Sequence, residues 1–145
     1  MNTESNHASI FSPWVPVSGH RLRKVGVFFD AVRVGPGAGE ELATRLEALT
    51  NGEPGPVVGE SAGGRWMYFL VAAGSCAGRR WPPGVTRLGS DGRDAYVGIP
   101  ALTGATWPLS WRCAPRPDRR LVDADLLHGT LRAQLSWEPG PMPRG

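Results

Sequence analysis

Glycine and proline interrupt this chain so often that no long regular element can dominate it: 20 glycines and 14 prolines stand among 145 residues. Proline removes a backbone donor and glycine frees the backbone at turns, so both mark boundaries between short elements. Such punctuation could belong to a disordered chain, but a hydrophobic fraction of 41% and six tryptophans supply the apolar surface of a core. One domain is expected at this length. The polar residues 1–12 and the Pro-rich "EPGPMPRG" at 138–145 are expected to be disordered tails around a single domain at 13–137.

Between the interruptions, the string "VGVFFDAVRV" from Val25 holds β-branched and aromatic residues as far as "GPGAG" and reads as a central strand, unusual in carrying an acid, Asp30. In "GEELATRLEALTNG", Leu42, Leu46 and Leu49 recur at helical spacing, Glu40 and Glu41 lie near the positive end, and Gly52 supplies a stop. A short strand at Val57 and Val58, a turn at Gly63-Gly64 and a strand over 65–71 predict a hairpin. "GVTRLGSDGRDAYVGIPA" predicts two strands around a turn at Ser90, Asp91 and Gly92, and Pro108 assigns the strand of "ATWPLSWRCA" to an edge. Asp123 is placed to cap a last helix bearing Leu127, Leu131 and Leu135. The whole is an α+β domain with a central, mostly antiparallel sheet and two helices.

Fifteen of the sixteen basic residues are arginine, while the formal net charge is only +3. Arginine pairs bidentately with phosphate or carboxylate, so anionic partners are open, yet a charge this small is a weak footprint for a nucleic-acid binder. Arg79 and Arg80 beside Trp81, and Arg112, Arg116, Arg119 and Arg120 around and after Trp111, are the nucleic-acid candidates. A solvated face explains them too, since Asp118, Asp123 and Asp125 offset the second group. Cys76 and Cys113 lack a second thiol or histidine at ligand spacing, so neither a metal site nor a disulfide framework is signalled, which fits a reduced cytoplasmic setting. His7, His20 and His128 have no partner at catalytic spacing, and His128 is expected on the exposed side of the last helix. No basic, apolar leader and no run near about 20 apolar residues occurs, so no membrane association is expected.

The stretch "GESAGGRWMYFLV" invites comparison with a phosphate loop, but that pattern needs wider glycine spacing and a Lys-Ser/Thr pair entering a helix, and here a strand follows. The order of blocks over residues 25–115 resembles instead the N-terminal Prim-Pol domain of bifunctional DNA primase/polymerases, in the archaeo-eukaryotic primase superfamily. The blocks are an acid-bearing strand, a Leu-striped helix, "GPVV", "SAGGRWMYFLV", "GVTRLGSDGRDAYVGIPA" and a Trp-bearing strand. The resemblance implies nucleotidyl transfer on divalent metals held by clustered carboxylates. Asp30 matches the first acid of the family's Asp-x-Asp pair, but the second is Val32, the histidine of the turn is Trp66, and the third acidic position is Thr86. Neither valine nor tryptophan can ligate a metal or act as a base, and the segment ahead of the acidic strand is short, so the chain reads as a shortened, catalytically degenerate relative with no metal or cofactor.

If the family register holds, one face carries Asp30, Val32, Trp66, Tyr68 and Thr86. That face is open to three readings: a surface for a protein partner, buried core, or a stack for bases. Asp30 is either a hydrogen-bonded structural acid or a relic ligand. Trp66, Tyr68 and Trp81 are the partner-binding candidates. The expected function is non-enzymatic binding or regulation through another protein. The alternative is a nucleic-acid or nucleotide-binding protein with residual primase/polymerase function using acids such as Asp91 or Asp94.

Overall fold

The computed structural model describes residues 12–89 and 94–140. Along them run β1 (His20–Lys24), β2 (Asp30–Val34), α1 (Pro36–Leu49), β3 (Val57–Glu60), β4 (Met67–Val71), β5 (Thr86–Leu88), β6 (Tyr96–Pro100), β7 (Leu109–Cys113) and α2 (Ala124–Gln134). The α+β class and the two helices agree with the sequence reading. The single central sheet does not: the strands form a five-stranded sheet ordered β5-β2-β4-β3-β7 and a separate ribbon of β1 and β6. Every strand pairing is antiparallel, and one parallel bridge, Val71 to Val122, ties the approach to α2 against the end of β4.

The second sheet exists because "VGVFFDAVRV" is not one strand. Val25 to Phe28 form a reversal in which the Gly26 N–H donates to the Phe29 carbonyl at 2.7 Å, carrying the chain from β1 into β2. Apolar composition pointed to a strand, and the turn-forming glycine overrides it. "GVTRLGSDGRDAYVGIPA" does hold two strands, but β5 pairs with β2 and β6 with β1, so they are not partners. The intervening turn at Ser90, Asp91 and Gly92 lies outside the described residues. The β3–β4 hairpin and the edge position of β7 follow the sequence expectation.

Alternation along the strands of the larger sheet loads both of its faces with apolar side chains. On one face Val32, Val34, Met67, Phe69 and Val71 meet Leu42 and Leu46 of α1 and Leu127 and Leu131 of α2. On the other, Phe29, Ala31, Val58 and Leu70 meet Val97 and Ile99 of the ribbon, with Trp14 set edge-on to Phe29 at 5.1 Å. The molecule is thus layered as helices, sheet and ribbon. Fully burying each such side chain contributes about 1.5–3 kcal/mol.

Helix α1 starts at Pro36, ahead of its expected first turn, and buries Gly39, Leu42, Ala43 and Leu46, whereas Leu49 is 61% exposed. Proline suits a first turn because the missing N–H has no partner there. In α2 the Asp123 carboxylate accepts the Leu126 N–H at 3.0 Å, as expected of a cap. Leu127 and Leu131 are buried, but Leu135 sits at the C-cap, outside the core stripe. Ser12, inside the segment expected to be a tail, is buried, and Trp14 belongs to the core. Most of both expected tails lies outside the described residues. No helix among the described residues is long and apolar enough to cross a membrane.

Candidate functional site

Cross-strand register decides which residues can act together, because opposed residues of an antiparallel pair share a face. Asp30 stands opposite Val71 and Val32 opposite Phe69, which places both on the helix-covered face. Arg33 stands opposite Tyr68 on one side and Thr86 on the other, so Tyr68 and Thr86 occupy the ribbon side. Trp66 is with them, its ring lying 4.4 Å from the Arg33 guanidinium. The expected common face of Asp30, Val32, Trp66, Tyr68 and Thr86 is therefore split in two. The physical reason is the period of two: a register one residue away from the expected one moves a whole set of side chains to the opposite face.

Asp30 is fully buried at the start of β2, where its Oδ2 accepts the Gly74 N–H at 2.9 Å. Gly89 passes the same carboxylate with φ +108°, and a Cβ there would overlap the Oδ1 atom. Glycine alone fits both the backbone conformation and the space. Asp30 thereby fastens the loop after β4 to the start of β2, with the end of β5 packed close against its carboxylate. Beneath it the buried Cys76 thiol is pushed up to about 11 by burial and by the Asp30 charge. Val32 is fully buried and Thr86 exposed. Among the described residues no group of three or more His, Cys, Asp or Glu side chains is placed to hold a metal ion.

Trp66 belongs to a turn locked by one carboxylate. Glu60 Oε1 accepts the Trp66 N–H at 3.3 Å and the Tyr68 hydroxyl at 3.2 Å, while the Glu60 N–H donates to the Trp66 carbonyl at 3.1 Å. The indole folds over Gly64, occupying the place a side chain there would need. Burial, and then the Glu60 charge, raises the Tyr68 phenol above its ordinary range. Trp81 packs on the helix-side core and meets the His128 ring edge-on at 5.0 Å. His128 is half-buried, with Nε2 2.7 Å from the Arg80 carbonyl, so its expected outward position is corrected: the aromatic neighbour draws it in.

The arginine candidates divide. Arg112 reaches from β7 to α1, donating from Nε to both Glu40 oxygens at 2.9 and 2.8 Å and from Nη2 to Glu47 at 3.0 Å. The Arg112 guanidinium holds the Glu40 carboxyl below its usual range. Arg79, Arg116, Arg119 and Arg120 line one cleft of about 690 Å³ beside the start of α2, and Arg80 is not among its lining residues. Carboxylates already meet arginines of this cleft: Arg79 pairs with Asp125 at 2.5 Å, and Asp118 with Arg116 at 2.7 Å and Arg120 at 3.7 Å.

Of the ribbon the sequence reading held β6 but not β1. Leu22 is 70% exposed, Val27 62%, Tyr96 56% and Phe28 45%. Lys24 opposes Tyr96 and Leu22 opposes Gly98, so Leu22 and Tyr96 are diagonal neighbours by alternation. The Val25 N–H donates to the Ala95 carbonyl at 2.9 Å, bringing the turn with Val27 and Phe28 to the Tyr96 end. The signal is present as "HRLRK", five residues free of glycine and proline, but it lies ahead of the more apolar run that reads as the strand. Comparison with known proteins gives no match of any kind: no family model, no curated protein and no solved structure is significantly similar to this chain.

Proposed function

We propose that the chain is a non-catalytic binding or regulatory protein, built on a shortened Prim-Pol-like plan and acting in the cytoplasm through contacts with another protein. The observation that carries this reading is the exposed apolar group of Leu22, Val27, Phe28 and Tyr96 at one end of the ribbon. Clustered large apolar side chains left in water mark contact surfaces. The non-catalytic part is supported by the use of Asp30, whose buried carboxylate holds the loop after β4, and by the separation of Trp66 and Thr86 from it across the sheet. Tagged wild-type protein and a Phe28→Ser/Tyr96→Ser variant, used to capture partners from nuclease-treated and untreated extract of the native cell, test it. Capture of a protein that survives nuclease and is lost with the variant is expected. Capture abolished by nuclease, or unchanged in the variant, overturns the reading.

The clustering of Arg79, Arg116, Arg119 and Arg120 around one cleft favours a second reading, a nucleic-acid or nucleotide-binding protein. In that case binding to single-stranded DNA is weak, tolerant of sequence and steeply reduced by salt, because arginine–phosphate contacts release counterions. Titration at low and high salt, with Arg120→Ala as the control, decides it. Template-dependent extension of a primer with Mg²⁺ or Mn²⁺ would extend this second reading to residual polymerase function.

A further inference from the structure

We propose that the outer edge of β1 takes up an extended acidic segment of the partner as an added strand. The inference rests on the protein-contact reading and supplies the chemistry of what is bound. The Gly19 carbonyl accepts the Ala101 N–H at 2.8 Å and the Val25 N–H donates to Ala95, so residues 19, 21, 23 and 25 spend their backbone groups on β6. By alternation His20, Leu22 and Lys24 aim theirs away from β6. Among the described residues β1 pairs with β6 alone. The outer edge of β6 is the poorer template, since Pro100 has no N–H to offer.

Charge selects the occupant. His20, Arg21, Arg23 and Lys24 fill four of the five positions of β1, and the nearby acid is Asp94, 3.1 Å from Lys24. A second copy of β1 laid alongside would set like charges opposite one another, which is how edge strands deter self-pairing. An acidic strand reverses every one of those terms. Main-chain bonds hold such an added strand, and side-chain contacts at alternate positions give it specificity. Leu22, Phe28 and Tyr96 are the exposed apolar contacts available for that purpose.

Selection of displayed random dodecapeptides on the immobilised full chain tests the proposal. Enriched peptides are expected to alternate acidic with apolar residues. The best of them should slow amide exchange at His20, Leu22 and Lys24, and its affinity should fall about tenfold or more in Leu22→Pro and in His20→Glu/Arg21→Glu. The second variant alters only exposed side chains, so it keeps the test valid where the proline prevents folding; thermal melting checks both. Absence of acidic enrichment, affinity unchanged by His20→Glu/Arg21→Glu, protection confined to other amides, or preference for single-stranded DNA over peptide overturns it. Capture that depends on Phe28 and Tyr96 but is not competed by acidic peptide defeats strand addition and leaves the protein-contact reading intact. Capture indifferent to both residues defeats the two together.

Discussion

A carboxylate removed from water is tolerated where donors meet it, and Asp30 meets the Gly74 N–H inside a fully buried site. Asp30→Ala leaves that donor without its acceptor, and a loss of about 1–3 kcal/mol in urea unfolding is expected. Gly89→Ala should cost a similar amount, about 1–3 kcal/mol, since the left-handed backbone and the carboxylate both oppose a Cβ. An Asp30→Ala protein as stable as wild type would remove the acid from its structural role. Trp66→His places a histidine where the Prim-Pol pattern has one and is expected to gain no primer extension, because Asp30 and Val32 lie across the sheet from it. It should lower the melting temperature, the indole beneath Arg33 contributing about 0.5–1 kcal/mol. Burial raises Cys76 and Cys113 from 9.0 to about 11. Both thiols should therefore resist a thiol reagent at pH 8 in the native state and react once the chain is unfolded. A thiol pKa raised by folding contributes stability that is complete below about pH 9 and is lost as pH climbs towards about 11.

Within each helix the leucines of the stripe contribute unequally. Leu46→Ala, Leu127→Ala and Leu131→Ala should each cost about 2–5 kcal/mol, and Leu49→Ala or Leu135→Ala no more than about 0.5 kcal/mol, in the same unfolding assay. Asp123→Ala removes the cap of α2 for about 1 kcal/mol. Equal costs along a stripe would contradict the observed faces. Both helices were legible from leucine spacing because three or four residues bring side chains back to one face, whatever the rest of the chain does. Strand existence was legible as well, from apolar runs between glycines and prolines. Partnership was not. Whether β5 joins β6 or β2, and whether Tyr68 shares a face with Val32 or Arg33, depends on pairings between segments far apart in the chain, and a shift of one residue reverses the answer. The candidate site suffered most from this, since the common face expected for Asp30 and Trp66 depends on register, and the strands put them on opposite faces.

At the scale of the molecule, the free side of β7 is fastened to α1 by Arg112 and its two glutamates. Arg112→Ala is expected to lower stability by about 1 kcal/mol at neutral pH, as partly exposed pairs contribute little each. Because folding holds Glu40 below its ordinary range, its contribution is present above that range and lost as pH falls through the lowered value, so the variant and wild type should converge in acid. The same layered build has a consequence for how the chain is made. β1 lies near the start of the described residues, and its partner β6 is separated from it by five elements, β2, α1, β3, β4 and β5. During synthesis the basic, apolar β1 must wait on the ribosome for a strand translated much later, and closing so distant a pair is slow. Nascent chains stopped after Leu88 should leave Trp14 accessible to quenchers and bound by chaperones, and release of the completed chain should bury it.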